Sequence, residues 1–427
     1  MRLYLYFVFL FLGFCDMHAQ NVNNHDSKSN NKDKNKQEKV FKKKNLLKDI
    51  KSLYKAANFA KVDETITKTF KEFPEASNDP DLLGYEMNTH FQLYLAENRK
   101  IYLNNKGDTV KLFKYIYNTY LYGLKCDSVC KFPDKKGKYC SRYNSDINNH
   151  LAYLRNNLKS GGLYYLKKQK YADALPFFSI YLNSIDKPFV YKQKDFSLRV
   201  DTDSVRIYKL ALHAAYGAEK YQEVLRFLPV ALSDSVRKDK IMEMGAESAL
   251  QLHDSTTFIQ LLRNGFDIYP TNDYFRANLI KLYHDHNDLD NTLKVLDKCI
   301  ETDSLDARFW KLKGNEYYDR DSIDAAIFPY TKVVNIDDND NETLTKLANI
   351  YIRKARDFYN NTSLKFGSPD FAKNKRILTD LYTKAMNYYE RVRTLAPNNP
   401  EIWKSGLREA YYKLNKGKEL QQLERTK

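Results

Sequence analysis

Residues 308–334 read RFWKLKGNEYYDRDSIDAAIFPYTKVV, and the spacing within them decides the fold. Large and small residues fall at Trp310, Gly314 and Tyr317, then at Ala326, Tyr330 and Val333, with the polar DRDS between. A helix returns to one face every 3.6 residues, so each run is one amphipathic helix and the polar break is a turn. The unit recurs in steps of 34. The Trp310 slot gives Tyr208, Met242, Arg276 and Leu344, and the Gly314 slot gives Leu212, Ala246, Ile280 and Ala348. The Tyr317 slot gives Ala215, Ala249, Tyr283 and Tyr351. In the second helix, Ala326 corresponds to Val224, Phe258 and Thr292, and Tyr330 to Leu228, Leu262 and Leu296, while Pro270 closes one unit. Unrelated amphipathic helices would not keep phase over five consecutive first helices.

This pattern resembles the tetratricopeptide repeat (TPR), a helix–turn–helix unit, and the resemblance implies an all-α superhelix. Upstream, Leu158, Gly162, Tyr165, Ala174, Phe178 and Tyr181 make another unit, set off from Tyr208 by extra residues near 186–203. Downstream, the second helix after Tyr351 is expected only at Ala385, Tyr389 and Val392, which implies an insertion near 358–380; Trp403, Leu407 and Ala410 then resume the phase. Leu46, Ile50, Leu53, Val62 and Ile66 form a degenerate copy. Residues 81–125 fit no 34-residue step and predict two longer helices, 81–103 and 109–125, broken at NNKGD. The polar end, KGKELQQLERTK, suits a terminal unit that nothing further covers.

The chain also resembles a set of TPR proteins exported by Gram-negative bacteria of the Bacteroidota type. The matching stretches are LYGLKCD (121–127), GGLYYLKKQKYADALPFF (161–178), LAPNNPEIWKSGL (395–407) and YYKLNKGKEL (411–420). The resemblance implies a solenoid in the periplasm or at the outer-membrane periphery, and supplies no activity. The first residues agree with export. Arg2 precedes an apolar run from Leu3 to Phe14, and small or polar residues follow to Ala19, the order of a signal peptide. The expected organisation is a signal peptide over 1–19, a disordered basic linker over 20–44, an N-terminal helical region over 45–143 with a Cys-containing loop, and a repeat array over 144–427.

Charge is uneven within the net +16. Residues 101–170 carry 14 Lys and Arg against four acids, and 351–427 carry 17 against eight, but 201–350 carry 18 against 26. An exported chain meets little nucleic acid, so anionic proteins, lipid headgroups or glycans are the expected partners of the basic tether and of the basic blocks. No phosphate-binding loop, zinc-protease or nucleophile-elbow motif is present, and 14 Gly in 427 residues leave little for phosphate cradles. The chain therefore reads as a non-enzyme with no cofactor and no metal. His284, Asp285, His286 and Asp288 fall at a turn where polar residues belong, and IDDNDNE (336–342) lacks the glycine and distal glutamate of a calcium loop.

Binding remains. In TPR arrays certain first-helix positions face the inner groove. In this register they are Arg206, Lys209, His213 and Tyr216, then Lys240, Glu243 and Glu247. Tyr274, Lys281, His284, Arg308, Lys311, Asn315 and Tyr318 follow, and then Asn349, Arg353, Lys404, Arg408 and Tyr411. Such a groove pairs carboxylates through Arg and Lys and supplies contact area through Tyr. Lys311 and Asn315 match the first pair of the clamp by which some TPR domains grip a chaperone's C-terminal carboxylate. Lys346, Glu401 and Ser405 break the rest of it. The reading is a scaffold for protein partners in the cell envelope; the alternative is an anionic envelope ligand or glycan, as in the helical outer-membrane glycan-binding proteins.

KCDSVCKFPDKKGKYC (125–140) holds three cysteines. In an oxidising compartment thiols pair, and zinc would want a fourth ligand. Cys126 and Cys130, four apart at a helix end, are poorly placed for each other, so Cys130–Cys140 is expected, with Cys126–Cys140 second. Cys299 falls in a buried second-helix slot and should stay reduced.

Overall fold

The computed structural model describes residues 43–103, 106–133, 137, 140–185, 202–362 and 369–425. Among them are eighteen α-helices and two short 3-10 turns, with no strand. The helices are α1 (Lys43–Lys55), α2 (Phe59–Glu72), α3 (Pro80–Tyr102), α4 (Thr109–Cys130), α5 (Asn144–Lys167) and α6 (Tyr171–Asn183). Next come α7 (Thr202–Gly217), α8 (Tyr221–Ala231), α9 (Lys238–Gln251), α10 (Ser255–Ile268), α11 (Asp273–Asp285) and α12 (Leu289–Thr302). The last are α13 (Ala307–Asp319), α14 (Ile323–Ile336), α15 (Asn341–Asn361), α16 (Phe371–Leu395), α17 (Lys404–Lys413) and α18 (Gly417–Arg425).

Odd- and even-numbered neighbours pair as hairpins, and each hairpin packs on the next. The core is therefore a seam rather than a centre. One cluster of buried side chains runs from Leu83 to Phe309, and others join α14 to α15 and α15 to α18.

The 34-residue period is visible in three backbone and side-chain columns. Within the regular hairpins the first helix ends in a left-handed residue, at Glu219, His253, Asn287 and Asp321, with φ of 57°, 58°, 56° and 62°. That single residue reverses the chain into the second helix. First helices start at Asn272, Asp306 and Asp340, whose side chains accept from the backbone N–H of Tyr274, Arg308 and Thr343. The third column is Ile207, Ile241, Phe275, Phe309 and Thr343, all buried. It lies one residue before the expected Trp310 slot, where Tyr208, Arg276 and Trp310 are only partly buried. A first helix is covered by its own partner and by the next hairpin, so its apolar stripe is wide: it takes in this column as well as the expected slot, which is buried at Met242 and Leu344.

Gly314 serves the close approach expected of it. A Cβ there would lie 2.4 Å from the ring of buried Tyr330, and one at Gly162 would meet the Phe178 ring at 2.5 Å. Both pairs are 16 residues apart, the same two slots in different repeats.

Three expectations need correction or completion. The insertion near 358–380 is largely helical where it is described, because α15 runs on to Asn361 and α16 begins at Phe371. Leu378, Leu381 and Tyr382 carry the apolar stripe of α16 back to its early turns and pack on the last hairpins. The residues near 186–203 lie outside the described ones as far as 201. Finally, α4 continues five residues past the expected end, so Cys126 and Cys130 sit a turn apart, buried, with their Sγ atoms 3.9 Å apart. The expected Cys130–Cys140 bridge is not closed: Cys126, Cys130, Cys140 and Cys299 are free thiols, with the Cys130 thiol hydrogen-bonded to Cys140. Burial pushes the Cys126 and Cys299 thiols up to about 11, which makes both poor nucleophiles.

Candidate binding groove

An open groove of about 1200 Å³ lies between the first helices α11 and α13. Its floor is Ala277, Ile280, Phe309 and Leu312, and Leu312 is 38% exposed. Its rim alternates in charge, with Asp273, Glu316 and Asp319 against Arg276, Lys281 and Arg308. Helical periodicity produces this division. On α13, Phe309 is buried, Leu312 stands one turn on, and Arg308 and Asn315 flank them along the same side.

The rim side chains are held rather than loose. Arg276 pairs with Asp273 at 2.5 Å and lays its guanidinium 4.8 Å from the centre of the Phe309 ring. The slot that holds Trp310 in the next repeat thus holds a cation here, turned onto the groove floor. The His284 Nδ1 lies 2.6 Å from the Glu316 carboxylate, which also pairs with Arg320. Asp306 caps α13 and binds Arg308, and that hydrogen bond holds the Asp306 carboxyl below its usual range.

Of the expected groove residues, Lys281, His284, Arg308 and Asn315 line this concavity. Lys404 and Arg408 line a second, smaller one of about 390 Å³ at the start of α17. The others are not gathered with them. Lys209 is only 17% exposed and bonds Asp234 and the Val236 carbonyl. Lys240 pairs with Glu243, Lys311 with Asp340 and Glu342, Arg353 with Asp321, and Arg408 with Glu424. Three of these pairs, those of Lys209, Lys311 and Arg353, join one hairpin to the next. Most of the expected basic face is therefore neutralised in place and staples the repeats together. Asn315 accepts from Tyr330 and Lys346, and the Lys346 ammonium lies 5.7 Å from the Tyr318 ring. His213 packs edge-on to Tyr171, Arg206 is exposed, and Tyr216 is half-buried. Tyr274 is also half-buried, and burial beside Glu247 raises its hydroxyl pKa. Tyr411 is buried rather than facing a groove, its hydroxyl donating to Glu390.

Leu312, Phe309 and Glu316 were absent from the expected set. A signal existed for Leu312, an apolar residue between Lys311 and Lys313, but the 34-residue step says nothing about which non-core positions face a neighbour. The residues considered for metal at 284–288 have other work. His286 Nδ1 lies 2.7 Å from the Leu282 carbonyl, Asp285 pairs with Lys281, and Asp288 caps α12. Among the described residues, one group of three side chains is spaced for a metal ion: Asp63, Glu86 and His90, far along the chain from the groove.

No protein-family model matches the chain, and no curated protein matches it. Solved structures similar to it include a TPR repeats protein from Bacteroides fragilis, at 18% identity over 60% of this chain and 98% of that one, with a TM-score of 0.27. Another is the C-terminal part of a TPR repeat-containing protein from Cytophaga hutchinsonii, at 17% identity over 61% and 89%, TM-score 0.35. A third is a tetratricopeptide repeat protein from Parabacteroides merdae, at 12% identity over 60% and 98%, TM-score 0.31. The fold is an all-α repeat solenoid of TPR type. It rests on the columns of caps, turns and buried side chains described above.

Proposed function

We propose that this solenoid is a non-catalytic scaffold that docks a protein partner in the groove between α11 and α13. The observation that carries the reading is the apolar floor of the open groove, where exposed Leu312 and half-buried Ile280 lie beside buried Phe309, inside a rim of alternating charge. Such a surface suits a peptide segment that seats one apolar side chain and pairs flanking charges of both signs. It does not suit an anion alone, because Arg276 and Arg308 already have carboxylate partners. Nothing in the groove joins a nucleophile to a base in the way acyl or phosphoryl transfer requires.

The partner is expected in the cell envelope, with the basic tether over 20–44 able to rest on anionic surfaces. This part of the proposal is supported by the signal-peptide order of residues 1–19. The second reading, an anionic envelope ligand or glycan, is favoured by one observation: Lys404 and Arg408 share the smaller concavity at α17.

Immobilised protein exposed to envelope extracts separates the two. A saturable protein partner that is lost on Leu312→Asp, and kept on Arg408→Ala, supports docking in the larger groove. Retention on a polysaccharide matrix that depends on Arg408 and ignores Leu312 would replace it with the second reading.

A further inference from the structure

Helix α3 places Glu86 and His90 four residues apart, on one face, and α2 brings Asp63 to the same point. The His90 Nε2 lies 3.6 Å from Asp63 Oδ1 and 3.9 Å from Glu86 Oε2. Glu86 is fully buried and His90 is 1% exposed, yet neither carboxylate oxygen of Glu86 has a hydrogen-bond partner. A buried carboxylate without a donor is costly in any protein.

From this geometry we infer a site for a first-row divalent transition metal, of the zinc type, held by Asp63, Glu86 and His90. An ion bound at about 2.1 Å in a tetrahedron separates its ligands by roughly 3.4 Å; the two carboxylates stand within about half an ångström of that from His90, and all three donors lie within 4.8 Å of one another. One imidazole and two carboxylates are a borderline donor set, which suits zinc or manganese better than magnesium or calcium. The shell around them is built. Tyr122 stacks on the imidazole with ring centres 5.5 Å apart and planes 2° from parallel, and Tyr115 lies 5.9 Å away. Thr67 donates to the Asp63 carboxylate at 3.3 Å. The Asn118 amide, from α4, is 3.3 Å from His90 Nε2, close enough to turn its carbonyl toward an ion as a fourth donor. Asp63 is 36% exposed, which gives the ion a way in. Bound there, the metal joins the first hairpin to the second and satisfies one of the orphaned Glu86 oxygens.

The test is titration of the metal-stripped protein with ZnCl2, followed by calorimetry and thermal melts. One equivalent is expected to bind and to raise Tm, because a ligand that binds only the folded state stabilises it. Glu86→Gln, which keeps shape and removes charge, should weaken that binding by ~100-fold and abolish the Tm rise, as should His90→Gln. His286→Gln, at an exposed histidine outside both this site and the groove, should change neither. Circular dichroism of each variant confirms the fold, and Co2+ gives an absorption signature of the coordination geometry that does not depend on stability. No tight equivalent in the parent protein, or zinc binding and a cobalt spectrum unchanged by Glu86→Gln, would overturn the site. In that case Glu86 would be a protonated core residue, and Glu86→Gln would leave the melt independent of metal.

Discussion

The hairpins from Thr202 to Ile336 and those from Lys43 to Cys130 stack in the same way but are stabilised differently. In the first region the buried positions recur every 34 residues, and their occupants are almost all apolar or small. Apart from buried Glu316, which pairs with His284 and Arg320, ionisable groups there are at least partly exposed and several pair between hairpins, as Lys311 does with Asp340. In the second region α3 and α4 are 23 and 22 residues long, and Asp81, Glu86, His90 and Glu97 are buried. The regular array is thus held by interchangeable contacts between neighbours, whereas the N-terminal hairpins depend on particular polar partners.

The sharpest way to break this comparison is Phe275→Ala. Phe275 is fully buried at the centre of the array, and its truncation should cost about 3–5 kcal/mol in urea unfolding. Repeats couple only to neighbours, so hydrogen exchange should rise in α9 through α14 and stay protected in α3 and α4. Equal loss of protection in both regions would show that the chain unfolds as one unit. A smaller effect is expected at Gly314. Gly314→Ala gains helix propensity but drives a methyl into the Tyr330 ring, for a net loss of about 1–3 kcal/mol by the same assay. The left-handed turn residues should move the other way. Glu219→Gly relieves a φ of 57° and should add about 0.5–1 kcal/mol, read as a higher urea midpoint.

The smallest effect concerns the staples. The Glu342 carboxyl is lowered by hydrogen bonding to Lys311, and that of Asp340, although burial works against it, is lowered by the same lysine. A carboxyl lowered in the folded state stabilises it above the unfolded value of about 4, and that contribution is lost as pH falls through the folded value. The stability difference between the parent protein and Lys311→Met should therefore shrink on acidification below about pH 4. A difference that stays constant from pH 7 to pH 3 would mean that Lys311 contributes by packing alone.

Much of the array was legible in the sequence because its signal is local and repeated. Gly314 with Tyr330, Gly162 with Phe178, and the resumption at Trp403, Leu407 and Ala410 all follow from spacing. The rotation of the buried face to Phe275 and Phe309 was not legible, since a wide apolar stripe leaves its centre undefined until the next hairpin covers it. The groove was half visible. Lys281 and Arg308 on its rim follow from the register, but the acids Asp273, Glu316 and Asp319, the exposure of Leu312 and the turning of Arg276 onto Phe309 are products of packing between α11 and α13. Asp63 joins Glu86 and His90 only through the crossing of α2 and α3. The i, i+4 pair on α3 was readable, and the third residue was not. Sequence spacing could not show that Lys209, Lys311 and Arg353 are matched to acids on neighbouring hairpins or their connections, which removes most of the free positive charge expected in the groove.

The docking claim is tested most directly by a photo-crosslinking amino acid placed at Leu312, on the groove floor, and separately at Lys294, exposed on the second helix α12. The protein expressed in its native cells should yield a discrete crosslinked protein from position 312 and none from 294. Equal crosslinking from both positions, or from 294 alone, would contradict a groove-docked partner.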